Sequence, residues 1–312
     1  KGTAWALQER GKHIITSAIE HPAVLNTCQY LETQGFEVTY LPVNGQGLIN
    51  PEDVRAAVTP RTILITIMHT NNETGCLQPI AEIGKLAREE EICFHTDAVQ
   101  STGKVPFHVK ELGVDLLSVS AHKIHGPKGV GALYARKGIS IQPLSHGGHH
   151  EWGKRAGTEN VAGTIGLGAA CRLANQKMET ETKELAALGD RLWSGIHEQV
   201  PNVRLNGHPQ KRLPHTLNCS FHGVEGESLL INLDLLGVAV STGSACASGS
   251  VSPSHVLLAM GIGDDICRSS LRFSLGRYNS QEDIDYVLEV LPPIVDRLRK
   301  MSPLWADQVS ER

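Results

Sequence analysis

The stretch VDLLSVSAHKIHGPKGVGALYA, residues 114–135, decides the architecture. Its first seven residues are apolar and β-branched enough to read as a buried strand. That strand ends at Ser120, where His122 and Lys123 follow, and a Gly126-Pro127 turn then leads into a second strand, GVGALYA, expected to run antiparallel. In open α/β sheets, ligands bind outside the carboxyl ends of the strands. A lysine held there can be desolvated and serve as an amine nucleophile for a Schiff base. An arbitrary His-Lys pair is, by itself, a solvated loop.

Working outward, HIITSAI, FEVTYLP, TILITIM and ICFHTD read as further short buried strands. Helical patterns separate them. Asn50-Pro51-Glu52-Asp53 supplies a cap, a proline at the first helical position and acid in the first turn. Pro79 opens another helix, with Ile80, Ile83 and Ala87 on one face. Strands alternating with helices imply a mainly parallel sheet with right-handed crossovers. Two long helices are expected next, over residues 158–178 and 183–199, the second carrying a stripe of Leu185, Leu188, Leu192 and Ile196. The pattern then changes to short strands at 203–205, 215–221 and 270–274. A capping box, Ser280 with Asp283, precedes a helix that Pro292-Pro293 should break. The expected organisation is a large α/β domain over residues 1–178, followed by a connecting helix and a small α+β C-terminal domain over 179–312.

Composition narrows the function classes. The chain has 312 residues, 40% apolar and 20% charged, with 29 basic against 33 acidic side chains and a net charge of -4. That profile is globular, and it removes the electrostatic case for nucleic acid or an anionic membrane as partner. Residues 241–263, the greater part of the longest uncharged stretch, are too rich in Ser and Gly to span a bilayer. Seven cysteines, widely spaced and without a C-x-x-C pair, argue against a disulfide framework or structural zinc and for a reducing, cytoplasmic setting. His146, His149 and His150 are expected in a solvated loop rather than at a metal, since only Glu151 lies at ligand spacing.

Several residues converge on one edge of the predicted sheet. Asp97 ends the ICFHTD strand, where an unpaired carboxylate is costly to bury. A pyridinium nitrogen would hold it ionised, and an Asp opposite a Schiff-base lysine is the usual pyridoxal phosphate arrangement. Gln100 is placed to reach the cofactor's phenolic oxygen, or is an ordinary polar cap. Asn72, in HTNNETG, reaches the same ring edge or is merely a turn residue. His21, in EHPAV, stacks on the ring or is a loop residue. Cys246, in STGSACASGSVSPSH, has almost nothing apolar beside it, which favours a reactive thiol on a loop over a small buried one. Arg272, alternating with Leu271 and Phe273, suits an amino-acid carboxylate, with a structural salt bridge as the alternative.

The chain resembles the cysteine desulfurases of the NifS/IscS class, class V aminotransferase-like enzymes dependent on pyridoxal phosphate. TSAIEHPAVL, IMHTNNETG, HTDAVQSTGKVP, SVSAHKIHGPKGVGALY, GGHHEWGKRAGTENV, STGSACASGSVSPSHVL and LRFSLGRY carry the resemblance, in family order and over essentially the whole chain. It implies the aminotransferase-like fold of type I, with a seven-stranded type of sheet sandwiched by helices. It further implies that Lys123 is the Schiff-base lysine, that His21 and Cys246 are catalytic with it, and that Asp97 pairs with the pyridine nitrogen. Asn72 and Gln100 would bond the phenolic oxygen, and Ser120 and His122 the phosphate. Thr158 would reach the phosphate of a partner subunit, so the resemblance implies a homodimer. Arg272 would clamp the substrate carboxylate, with Asn72 beside it. The implied reaction converts L-cysteine to L-alanine and leaves a persulfide on Cys246, for delivery to an iron-sulfur scaffold or another acceptor protein. No resident metal is implied, although Cys246 would ligate a transient iron-sulfur cluster together with such a scaffold.

The resemblance also implies a stretch before KGTAWA, with the first strand and helix of the large domain and a phosphate-binding helix N-terminus. A chain lacking it is expected to bind cofactor less well. Three other readings compete: a selenocysteine lyase, a plain aminotransferase or amino-acid lyase that needs Lys123 but not Cys246, and a truncated, catalytically silent homologue acting as an interaction protein.

Overall fold

The apolar runs of the N-terminal half become strands because each can bury both of its faces. The protein is described here from a computed structural model over residues 1–242, 253–302 and 305. Cys246 therefore lies outside the described residues. The chain forms two compact units, one of residues 1–43, 48–71 and 77–178, the other of residues 44–47, 72–76 and those from 179 on.

The first unit contains α1 (Gly2–Leu7), β1 (His13–Ser17), α2 (Pro22–Thr33), β2 (Glu37–Leu41), α3 (Pro51–Ala57), β3 (Thr62–Thr66), α4 (Ile80–Glu89), β4 (Cys93–Asp97), α5 (Val109–Leu112), β5 (Leu116–Ser120), β6 (Gly131–Ala135) and the start of α6 (Val161–Gln199). The sheet order is β2-β1-β3-β4-β5-β6. All pairs are parallel except β5 with β6, whose register runs Leu116↔Ala135 to Ser120↔Gly131. Successive residues point to opposite faces. Ile15, Ile65, Phe94 and Leu117 thus pack into one buried cluster, and their neighbours Ile14, Leu64, Cys93 and Leu116 into another. Helices cover both faces, which is why these strands read as continuous apolar runs rather than alternating ones. The sheet has six strands among the described residues, where the resemblance implies a seven-stranded type.

The second unit is built on β7 (Val203–Leu205), β8 (Thr216–Phe221), α7 (Gly226–Asp234), α8 (His255–Ala259), α9 (Asp264–Arg268), β9 (Ser270–Ser274) and α10 (Gln281–Met301). Its sheet, β7-β8-β9, is antiparallel. β8 is buried at every position, and Leu217 and Phe221 pack with Leu192, Leu229, Leu271, Phe273, Ile284 and Leu291.

Two helix expectations need correction. The two helices expected over 158–178 and 183–199 are one element, the 39-residue α6. The METETK stretch contains no Gly or Pro, and Lys183 Nζ pairs with Glu179 Oε1 at 2.8 Å, an i,i+4 contact across the expected break. Nor do Pro292 and Pro293 end α10, which continues to Met301. Interior prolines cost about 3 kcal/mol, but Leu291, Ile294 and Val295 are buried on both sides of them and hold the helix through the defect. Among the described residues, no helix is long and apolar enough to cross a membrane.

Candidate active site

In the first unit, the parallel strands bring their carboxyl ends to one edge. The order β2-β1-β3 makes a switch point between β1 and β3, where such sheets bind ligands. His21 sits just past β1 as the N-cap of α2, its Nδ1 accepting the Ala23 N–H at 3.1 Å, and Pro22 occupies the first helical position. Beside it, Asn71 Nδ2 donates to the Ile19 carbonyl at 2.9 Å, tying the segment after β3 to the segment after β1.

Asp97 is the last residue of β4. Its Oδ1 accepts the Val99 N–H at 2.9 Å, and no Lys, Arg or His forms an ion pair with it among the described residues. Burial pushes its carboxyl up, against the lowering effects of the Val99 hydrogen bond and the charge of His21. A desolvated carboxylate with no ion pair among the described residues fits a cofactor that brings its own cationic ring nitrogen. Gln100 is partly buried three residues on.

β5 delivers the next group. Ser120 Oγ lies 2.7 Å from His122 Nδ1, and Lys123 is exposed in the single 3-10 turn Ala121–Ile124. Two glycines keep this turn tight. A Cβ on Gly126 would come within 3.0 Å of the Ala121 carbonyl oxygen, and one on Gly131 within 2.6 Å of the Val119 carbonyl oxygen. The Gly-Pro loop read from the sequence is therefore a steric requirement of the lysine's position. Thr158 is exposed in a turn that Arg155 closes, donating from Nη1 to the Gly157 and Thr158 carbonyls at 2.7 and 3.1 Å.

In the second unit, Arg272 lies mid-strand in β9, and its Nη1 donates to the Asn72 carbonyl at 2.9 Å. Arg272 Nε and Asn72 Oδ1 are buried with no hydrogen-bond partner among the described residues. An orphaned guanidinium N–H fits a carboxylate ligand, and a buried amide oxygen without a donor fits a polar one. Within the first unit, the buried carboxylate of Asp97 suits a cationic ring nitrogen such as that of pyridoxal phosphate; within the second, the unmet groups of Arg272 and Asn72 suit an amino-acid ligand. Of the predicted residues, the first unit collects His21, Asp97, Gln100, Ser120, His122 and Lys123 at strand ends, and the second brings Asn72 and Arg272 into contact.

The sequence reading passed over two buried carboxylates in the same motifs. Glu20, beside His21, is fully buried and accepts from Ser17 Oγ at 2.6 Å and from the Met68 N–H at 2.8 Å. Glu73, beside Asn72, is 4% exposed and accepts from Ser254 Oγ. The available signal was an acid directly after a predicted strand, adjacent to a candidate ligand-binding residue. His149 and His150 line an open cleft with Trp152 and Glu159, and no group of three metal-binding side chains forms among the described residues. A cavity of about 930 Å³, lined by Arg10, Arg88, Cys93, Asp115 and Arg136, opens at the opposite edge, where β4 and β5 begin. It contains none of the predicted residues, and the strand-end chemistry outweighs its size.

Known proteins resemble this chain over most of its length. The family model described as Aminotransferase class-V matches residues 1–287. The chain is 54% identical to a protein named cysteine desulfurase IscS from Clostridium botulinum, over 100% of this chain and 79% of that protein. It is 56% identical to one of the same name from Methanosarcina thermophila, over 97% of this chain and 75% of that protein. Among solved structures, a NifS-like protein superposes with a TM-score of 0.88 at 38% identity, covering 95% of this chain and 78% of that one.

Proposed function

The chain belongs to the class-V aminotransferase family and, within it, to the IscS/NifS class of cysteine desulfurases, and from that premise we propose how its own residues carry out the conversion of L-cysteine to L-alanine. The observation that carries the reading is the convergence of His21, Asp97, Ser120 and Lys123 at the carboxyl ends of parallel strands in one sheet.

Pyridoxal phosphate, when bound, supplies the electron sink that makes the substrate's α-proton removable. Lys123 would hold it through its amine, Asp97 through the ring nitrogen, His21 through the ring face, and Asn72 and Gln100 through the phenolic oxygen. Ser120 and His122 would hold the phosphate, and Thr158 that of the partner subunit. Arg272 would bind the substrate carboxylate with its unsatisfied Nε, Asn72 lying beside it. Lys123, once released, would take the α-proton. The Cys246 thiolate would then attack the substrate's sulfur. A sulfur–sulfur bond forms, the substrate's carbon–sulfur bond breaks with its electron pair going to carbon, and protonation of that carbon together with return of a proton to the α-carbon gives alanine. The products are L-alanine and a persulfide on Cys246. Only the thiolate is a competent nucleophile for this step.

The division of labour at residues 1–178 and 179–312 follows the same reading, with cofactor chemistry in the first part and sulfur transfer in the second. A homodimer is supported by the apolar surface that α6 leaves open, where Val161 is 61% exposed and Ile165 68%. The persulfide would serve an iron-sulfur scaffold or another acceptor protein in the cytoplasm, with Cys246 ligating a cluster only transiently during transfer.

The test is persulfide formation on the protein after L-cysteine is added, read by intact mass. Cys246→Ser should abolish the persulfide and keep the yellow colour of the bound cofactor, and Lys123→Ala should lose both. Persulfide formation that survives Cys246→Ser would overturn the assignment of the nucleophile.

A further inference from the structure

Segment 243–252 carries Cys246, and the residues flanking it on both sides are described. On the N-terminal flank, Ser241 and Arg272 exchange backbone hydrogen bonds, Ser241 N–H to the Arg272 carbonyl at 3.2 Å and Arg272 N–H to the Ser241 carbonyl at 2.6 Å. On the C-terminal flank, Ser254 is 3% exposed, and its Oγ accepts the Leu257 N–H at 3.2 Å, capping α8. The same hydroxyl donates its proton to Glu73 Oε2.

Both flanks therefore meet one short segment of the second unit, residues 72–76. Asn72 offers its carbonyl to the Arg272 guanidinium, and Glu73 offers its carboxylate to Ser254. That segment is itself stitched into the unit. Asn218 Nδ2 donates to the Glu73 carbonyl at 3.3 Å, the Leu213 N–H to the Gly75 carbonyl at 2.9 Å, and Cys76 pairs with Arg212. A carboxylate at 4% exposure is costly, and packing alone has no need of one. A serine hydroxyl can cap a helix in more than one rotamer, whereas an acceptor fixed behind it leaves only one.

We propose that Glu73 and Ser254 are positioning residues for sulfur transfer, which together fix the C-terminal root of the Cys246 segment against the same short stretch that, through Arg272, fixes its N-terminal root. They act through the described residues on either side of Cys246, Ser254 directly and Arg272 by way of Asn72. This role rests on the functional reading above.

The experiment uses the full chain loaded with cofactor and separates the two halves of the chemistry. Persulfide formation from L-cysteine needs Cys246, whereas β-chloro-L-alanine loses its leaving group without a thiol. Ser254→Ala and Glu73→Leu should each slow persulfide formation at least 10-fold, with β-chloro-L-alanine turnover and cofactor absorbance held within 2-fold. Glu73→Gln, which keeps an acceptor, and Ser254→Thr, which keeps a hydroxyl, should recover most of the rate. The double variant Glu73→Leu/Ser254→Ala should be no slower than the poorer single one, since one bond joins the pair. Independently of turnover, the Leu257 amide should exchange with solvent at least 10-fold faster in Ser254→Ala. Parallel loss of both reactions would reduce the pair to ordinary structural residues, and multiplying losses would break the link between them. If wild-type chain forms persulfide and the variants match it, the positioning role alone is overturned. If wild-type chain forms none, the functional reading falls first.

Discussion

Glu20 shows how a single buried group couples the site to pH. Burial pushes its carboxyl up to about 8, outweighing the lowering effects of the Ser17 and Met68 hydrogen bonds, with the charge of Asp97 adding to the rise. The folded state therefore keeps a proton that the unfolded chain releases near 4.5. Below the unfolded value both states are protonated, and the contribution to stability is fully present. It is lost as pH rises toward about 8, by up to about 1.4 kcal/mol per pH unit. Glu20→Gln, which keeps an acceptor for both hydrogen bonds, should flatten this part of the profile. Chemical denaturation is expected to show the variant more stable than wild type at pH 8 and equal to it near pH 4.5. A variant that tracks wild type across the range would mean that Glu20 is ionised in the folded protein. His95 follows the same desolvation logic with opposite charge. Burial lowers it to about 4, so the ring between Thr66 Oγ1 and Ser118 Oγ stays neutral at physiological pH.

Elements obey local rules until packing overrides them. Asn50, His21 and Ser280 cap α3, α2 and α10 with their side chains, and Ser280 with Asp283 forms a full capping box. The Asn50 and Ser280 termini were legible because a cap is a contact within a few residues, whereas the cap at His21 was not read from the sequence. Gly84 is the opposite case. By helix propensity, Gly84→Ala in α4 should stabilise by about 1 kcal/mol. A Cβ there would lie 2.0 Å from the Leu112 carbonyl oxygen, at the C-terminus of α5, and 3.1 Å from Gly113 Cα. We expect Gly84→Ala to lower the melting temperature, with the crossing of α4 and α5 forced apart. A rise would show that α5 yields without cost. The prolines of α10 were misread for a similar reason: the sequence exhibits the defect at Pro292-Pro293 but not the buried neighbours that outweigh it. The expected break in α6 failed differently, because a polar, threonine-bearing run without Gly or Pro is a weak terminator.

At the scale of the whole molecule, each unit carries its own core and its own group of candidate residues. The first unit leaves Val161, Ile165 and Leu173 exposed along α6, more apolar surface on one helix than a solvated face needs. Ile165→Glu should give a monomer in sedimentation velocity and weaken pyridoxal phosphate binding in the same step, because Thr158 would then have no partner site to complete. A variant that stays dimeric would move the interface elsewhere. The α/β alternation, the strands, the antiparallel return after the Gly-Pro turn and the strand-end placement of His21, Asp97, Ser120 and Lys123 were determined by the sequence alone. Their signals are periodicity, capping and strand-end position, all of which depend on near neighbours in the chain. Tertiary structure decided that residues 44–47 and 72–76 belong with the C-terminal unit. It also decided that Glu20 and Glu73 are buried and that Arg272 and Asn72 keep unmet polar atoms. Desolvation is set by what surrounds a group in space, and residues 181 positions apart, such as Glu73 and Ser254, share a hydrogen bond that no local pattern in the chain encodes.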